Sequence, residues 1–129
     1  MKKLSLIYCF IVVLFTACNN RDHGVIEAVT PEEMQTLISA DDVQLVDLRS
    51  QEERLTRGYI ANSQHIDYNS DTFEEDILKL DKSKPVALYC HSGRRSAKCA
   101  EKLKAAGFVK VFDLQGGISE WKHGGLDLE

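Results

Sequence analysis

The residue of this chain best suited to chemistry is Cys90, which begins a short polar stretch. The apolar run 85–89 precedes it and predicts a buried strand. Residues 96–106 follow it, and their helix-forming composition before Gly107 predicts a helix. Cys90 is therefore expected between a strand end and a helix N-terminus, where free backbone N–H groups and the helix dipole favour an anion.

Two interpretations of the Cys90 thiol compete. A lone cysteine at the end of a buried strand is usually an inert packing residue. Here Gly93 permits a sharp turn at which successive N–H groups converge, and His91, Arg94 and Arg95 can add positive charge nearby. Such groups lower the pKa of a thiol, and the thiolate is the reactive form. Cys90 is therefore predicted to be a nucleophile.

The stretch from Cys90 to Arg95 resembles the active loop of the rhodanese-like sulfurtransferases, whose pattern is cysteine-x-x-glycine-x-arginine. In that family the cysteine accepts a sulfane sulfur, becomes a persulfide and passes the sulfur to a thiophilic acceptor. The resemblance implies that Cys90 carries the persulfide, that Arg95 steers or stabilises a small anionic donor, and that no cofactor is needed. The implied substrate- and anion-binding loop comprises His91, Ser92, Gly93, Arg94, Arg95 and Ser96.

The resemblance covers about residues 25–128. Residues 47–49, Asp-Leu-Arg, are similar to the family's Asp-Val-Arg, and residues 58–63 are similar to its Gly-His-Ile-Pro-Gly-Ala. Residues 114–117 and Trp121 match its C-terminal signature. The fold implied is α/β and rhodanese-like.

Departures from the family pattern concentrate in one turn. Tyr59 replaces a histidine, Asn62 replaces a glycine, and one residue is inserted before Gly58. Asparagine tolerates a positive φ better than other non-glycine residues, so the turn is expected to survive. Asp47, Arg49 and Tyr59 are candidates for the pocket rim. For Asp47 and Arg49, an ion pair or a loop-bracing hydrogen bond is an equal alternative.

The rest of the chain alternates strands and helices, which predicts a mostly parallel central sheet flanked by helices on both faces. Thr30, Pro31 and Glu33 form a capping-box pattern at the start of the first helix. The strands are expected at 25–29, 43–48, 65–66, 85–89 and 110–114, and the helices at 31–38, 52–56, 73–80, 96–106 and 118–123. Cys90 and residues 47–49 would emerge at the carboxyl edge of the sheet, where ligands bind.

The first residues have the pattern of an export signal. A basic start and the uncharged, mostly apolar residues 4–17 are too short to span a bilayer, and Cys18 follows a small residue. The stretch resembles a bacterial lipoprotein signal, although Phe15 stands where leucine is usual. The resemblance implies a lipid on Cys18 and a bacterial cell envelope location, on the periplasmic or surface side. An ordinary secretory signal is the alternative.

The sequence therefore predicts three parts: a signal peptide at 1–17, a tether at 18–24 and one domain at 25–129. Removing residues 1–17 takes away two lysines and no acid, so fourteen basic residues face twenty acidic ones and the formal charge becomes −6. A domain of that charge has no general attraction for nucleic acid.

The two cysteines of the predicted domain are Cys90 and Cys99. The chain has no C-x-x-C and no paired cysteine–histidine spacing, so neither a metal site nor a dithiol motif is predicted. Cys99 could resolve an oxidised Cys90, but it shares a helix face with Leu103, which favours packing.

Catalytic sulfur transfer has three alternatives. A cysteine phosphatase needs a loop one residue longer, with arginine where Ser96 stands. A silent binding module is disfavoured by the intact Cys90. An anchored carrier that receives its persulfide from a protein partner stays open.

Overall fold

The computed structural model describes residues 24–40 and 42–129, and these residues build one sheet of five strands. Every strand pair is parallel, and the strand order is β1-β5-β4-β2-β3. The strands are β1 Val25–Val29, β2 Gln44–Asp47, β3 Gln64–His65, β4 Val86–Tyr89 and β5 Lys110–Leu114. The predicted parallel sheet is confirmed.

Helices cover both faces of this sheet. The described helices are α1 Pro31–Ile38, α2 Gln51–Arg57, α3 Phe73–Ile77, α4 Arg94–Ala105 and α5 Gly117–His123. Side chains of β4 alternate between two apolar clusters, because successive strand residues point to opposite faces. Val86 and Leu88 pack with α3 and α4, whereas Ala87 and Tyr89 pack with α1 and α5. The sheet is therefore buried on both sides.

The first helix begins as its sequence predicts. Thr30 Oγ1 accepts a hydrogen bond from the Glu33 amide at 3.2 Å, and the Glu33 carboxylate accepts one from the Thr30 amide at 2.8 Å. Pro31 stands at the start of the helix. This capping box satisfies two amides that the helix leaves without internal partners.

Two helices differ from their predicted bounds by more than one residue at an end. The helix after Cys90 begins at Arg94, two residues before the predicted Ser96, because Gly93 takes the N-cap position. Helix α3 ends at Ile77, and Leu78, which was expected on its apolar face, is 47% exposed. Leu78 is the C-cap of α3, so it lies beyond the end of the helix whose apolar face it was predicted to share.

The predicted signal peptide, Cys18 and all of the predicted tether except Gly24 lie outside the described residues. Within the described ranges, no helix combines the length and apolar character needed to cross a membrane.

Candidate active site

Cys90 directly follows β4 and faces the side of the sheet that α3 and α4 cover. The chain turns at Gly93, whose φ is 99°, and enters α4 at Arg94. A side chain is strained at this φ, so glycine is the residue that allows so short a connection. The predicted order of strand, tight loop and helix N-terminus is confirmed, with the helix starting at Arg94.

The loop directs its amides at the Cys90 sulfur. The Gly93 amide nitrogen lies 3.1 Å from Sγ, and Ser96 Oγ lies 3.7 Å from it. Burial alone would raise the pKa of the Cys90 thiol, but hydrogen bonding with the backbone and the hydroxyl of Ser96, and with the amides of Gly93 and Arg95, outweighs it. The pKa of Cys90 is therefore lowered, which favours the thiolate.

The thiol lies at the floor of an open cleft of about 690 Å³. Cys90 is only 1% exposed, so a reagent reaches the sulfur from this cleft and not from the general surface. Tyr68 and Asn69 form one wall, and the other is formed by the start of α4 and the loop before it, with Ser92, Arg94, Arg95 and Lys98.

The two arginines of the loop have different surroundings. The Arg95 guanidinium donates to both oxygens of Glu53, at 2.9 Å each, and both side chains are about three-quarters buried. The Arg95 hydrogen bonds are the largest cause that lowers the pKa of Glu53, to about 2. Arg94 and Lys98 are exposed at the cleft, and the described residues give neither of them an ion pair. The cations available to a ligand are thus Arg94 and Lys98.

Helix α5 supports the loop from the opposite side. The Ile118 amide donates to the Cys90 carbonyl at 2.9 Å, and the Ser119 amide donates to the His91 carbonyl at 3.1 Å. These donors belong to the first turn of α5, where amides have no partner within the helix. Because both carbonyls bind α5, they are held away from the sulfur, and the neighbouring amides are free to face it.

Comparison with known proteins agrees with this geometry. The family model described as "Rhodanese-like domain" matches residues 30–123. The chain belongs to the rhodanese-like domain family. The predicted fold class and family are both confirmed.

Individual relatives show how widely this rhodanese-like domain is used. The chain is 35% identical over 86 residues to the thiosulfate sulfurtransferase GlpE of Coxiella burnetii, covering 67% of this chain and 78% of that protein. It is 33% identical over 108 residues to a tRNA uridine(34) hydroxylase of Yersinia enterocolitica, covering 76% of this chain and 30% of that protein. The structure of a rhodanese-related protein from Thermoplasma volcanium superposes with a TM-score of 0.70 at 28% identity, covering 80% of this chain and 97% of that one.

Asp47 and Arg49 lie on the other face of the sheet from the rhodanese-like cleft. Both are fully buried, and the Arg49 guanidinium donates to Asp47 at 2.8 Å and to the Gly58 carbonyl at 2.7 Å. The Tyr89 hydroxyl also donates to Asp47, at 2.8 Å. The proposal that these two residues line the pocket rim is wrong, and the alternative of a bracing ion pair is correct. The difference arises because Tyr89 and Cys90 point to opposite faces.

Tyr59 also lies away from the cleft. Its ring packs under the Arg54 guanidinium, with 3.9 Å between the guanidinium carbon and the ring centroid. The residues that line the Cys90 cleft do not include it, so its assignment to the rim is corrected. Asn62 has a φ of 62°, which confirms that asparagine serves in this turn where the family has glycine.

Cys99 is packed in the core beside Ala100 and Leu103, with no exposed surface. Burial, with the charge of Asp113 as a second cause, raises the pKa of its thiol to about 12. It is a free cysteine, as Cys90 is. A protonated, inaccessible thiol cannot resolve an oxidised Cys90, so the packing interpretation holds.

Glu53 is the main residue near the active loop that the sequence did not reveal, because it binds Arg95. It stands three residues after Ser50 in a second capping box, where the Ser50 amide donates to its carboxylate at 2.9 Å. The only local signal was this serine-x-x-glutamate spacing, which predicts helix capping and gives no indication of a partner 42 residues away.

Proposed function

We propose that this protein is a sulfurtransferase that carries sulfane sulfur as a persulfide on Cys90. The donor is a small anion such as thiosulfate, and the acceptor is a thiophilic nucleophile. The observation that carries the proposal is the bowl of amides around Sγ, with the Gly93 nitrogen at 3.1 Å. Membership of the rhodanese-like family and the similarity to a thiosulfate sulfurtransferase support it.

The first half of the reaction loads the sulfur. The Cys90 thiolate attacks the outer sulfur of thiosulfate and a new S–S bond forms. The bond between that sulfur and the sulfonate sulfur breaks, and sulfite leaves with the electron pair. The outer sulfur of the persulfide then carries negative charge, which the loop amides stabilise in the way that amides stabilise an oxyanion.

The second half of the reaction transfers the outer sulfur of the persulfide to the acceptor. A nucleophile such as cyanide attacks the outer sulfur, the persulfide S–S bond breaks, and its electron pair returns to Sγ of Cys90. The product is thiocyanate, and the thiolate is regenerated without an external oxidant or reductant. Because the outer sulfur would lie in the cleft and Cys90 itself is 1% exposed, attack is directed at the outer sulfur.

The loop geometry supports sulfur transfer over phosphatase chemistry. A tetrahedral phosphoryl group needs a wider loop that closes with an arginine, whereas Ser96 stands in that place here. Its hydroxyl lies 3.7 Å from Sγ and donates to the Gly93 carbonyl at 3.3 Å. The bowl is thus closed by a short side chain and by amides, which suits one sulfur atom.

Stoichiometric mixing tests the proposal. Without an acceptor, thiosulfate is expected to release about one sulfite per protein molecule, because a single thiol becomes loaded. Added cyanide should then release an equal amount of thiocyanate. A steady loss of p-nitrophenyl phosphate with no sulfite release would support the phosphatase instead. Loading by a persulfidated protein but not by thiosulfate would support the carrier.

We also propose that the domain is lipid-anchored through Cys18 in the cell envelope. The support is the order of basic start, apolar stretch and small residue before the cysteine. Cys18→Ala is expected to move the protein from the membrane to the soluble fraction, because lipid attachment would provide the main membrane affinity. Cys9→Ala is the matched control and should leave fractionation unchanged. Membrane association of Cys18→Ala equal to that of the parent would refute the anchor.

A further inference from the structure

Glu53 joins α2 to the loop that carries Cys90. Each of its oxygens accepts a hydrogen bond from a different terminal nitrogen of Arg95, both at 2.9 Å. The Ser50 amide donates to the same carboxylate at 2.9 Å, and this bond restricts the orientation of the Glu53 side chain. Arg95 lines the same cleft as Cys90, so the Glu53 carboxylate and the Arg95 guanidinium form an ion pair beside the reactive sulfur.

We propose that Glu53 is a positioning residue that holds the Arg95 guanidinium beside the Cys90 bowl and cancels its charge. Arg94 and Lys98 then carry the positive charge that meets an anionic reagent at the cleft. This inference rests on the proposed function only in taking the donor to be an anion. It assigns to Glu53 control of how strongly the cleft attracts that anion.

Helix capping alone does not account for these contacts. At the start of α1, the Glu33 carboxylate makes the same bond to the Thr30 amide, and Glu33 is exposed. Glu53 makes that capping bond too, but it also forms the two-pronged contact with Arg95 and is only 25% exposed. Glu33 is therefore a built-in comparison: an acid at the same helix position, without the arginine.

Burial and charge explain how the pair acts. Hydrogen bonds to Glu53 are the largest cause that raises the pKa of Arg95, and the charge of Cys90 contributes further. An unpaired guanidinium at this depth would act strongly on a nearby anion, because fields are less screened away from water. With Glu53 in place, the pair is close to neutral for a reagent that enters the cleft.

Competing alkylation of Cys90 measures this effect without sulfur chemistry. Iodoacetate is an anion and iodoacetamide is neutral. The rate with iodoacetate divided by the rate with iodoacetamide therefore reports the electrostatic field at the thiol. Glu53→Gln keeps the size and an acceptor for the Ser50 amide but removes the charge. At low ionic strength the ratio should rise about three- to tenfold, and added salt should reduce the rise. Glu33→Gln should leave the ratio within about twofold of the parent.

Three further variants complete the test. Arg95→Gln alone leaves the Glu53 charge unpaired and should lower the ratio, and the double variant with Glu53→Gln should return it toward the parent value. Glu53→Asp keeps the charge and should stay near the parent, which keeps the test decisive if Glu53→Gln folds poorly. A ratio that does not rise in Glu53→Gln, or that rises equally in Glu33→Gln, overturns the inference.

The outcomes separate this inference from the proposed function. Normal sulfite and thiocyanate release with an unchanged alkylation ratio would refute only the role of Glu53. A raised ratio in a protein that never releases sulfite would refute only sulfur transfer from thiosulfate.

Discussion

Cys90→Ser is expected to lower thiosulfate:cyanide sulfur transfer by at least about a thousandfold. A serine hydroxyl is not ionised near neutrality, and the amide bowl that lowers the thiol pKa cannot make it a comparable sulfur acceptor. The fold should persist, because the hydroxyl can accept from the Gly93 amide in place of the sulfur. Thiocyanate formation and the free energy of unfolding are the two measurements.

Cys99→Ala is the matched control for this variant. Cys99 is a fully buried thiol in the same domain, but its pKa of about 12 keeps it protonated. Its truncation should cost about 1 kcal/mol of stability through the lost packing and leave turnover per folded molecule unchanged. Turnover that survives in Cys90→Ser, or that is lost in Cys99→Ala, would place the sulfur elsewhere.

Gly117→Ala is expected to disrupt the active loop by direct overlap with its backbone. A Cβ at this position would lie 2.5 Å from the His91 carbonyl oxygen and 2.6 Å from the Cys90 carbonyl oxygen, and the φ of Gly117 is 63°. Strain and overlap together should cost about 2–5 kcal/mol. Sulfur transfer per folded molecule should fall at least about a hundredfold, because the amides that face the sulfur would shift.

Gly125→Ala separates the effect of backbone strain from the effect of overlap with the loop. Gly125 has a φ of 74°, similar to that of Gly117, but nothing lies within 4 Å of an added Cβ. It should lose about 1–2 kcal/mol through strain alone and keep its activity. If both variants lost activity equally, the contact between α5 and the loop would not be what shapes the site.

The local parts of the site could be predicted from the sequence. The apolar run before Cys90, the glycine at position 93 and the helix-forming residues after it each constrain the backbone within a few positions. The Thr30 capping box and the left-handed Asn62 are set locally in the same way. In each of these cases the side chain either restricts the φ and ψ of its own residue or forms a hydrogen bond with a residue three positions away.

Contacts between distant segments could not be predicted. Whether Asp47 and Arg49 face the cleft depends on which side of the sheet they occupy relative to Cys90, and the strand register decides this. The pairing of Arg95 with Glu53 depends on how α2 sits against α4. The sequence shows that residue 117 is glycine, but only the packing of α5 on the loop shows why.

The most direct test of the central claim is the intact mass of the protein after treatment with thiosulfate. The claim is that the loop amides hold one transferable sulfur on Cys90. It predicts a single adduct of about 32 Da, located on Cys90 by peptide mapping and removed by cyanide or by a thiol reductant. No adduct, or an adduct that persists in Cys90→Ser, would contradict it.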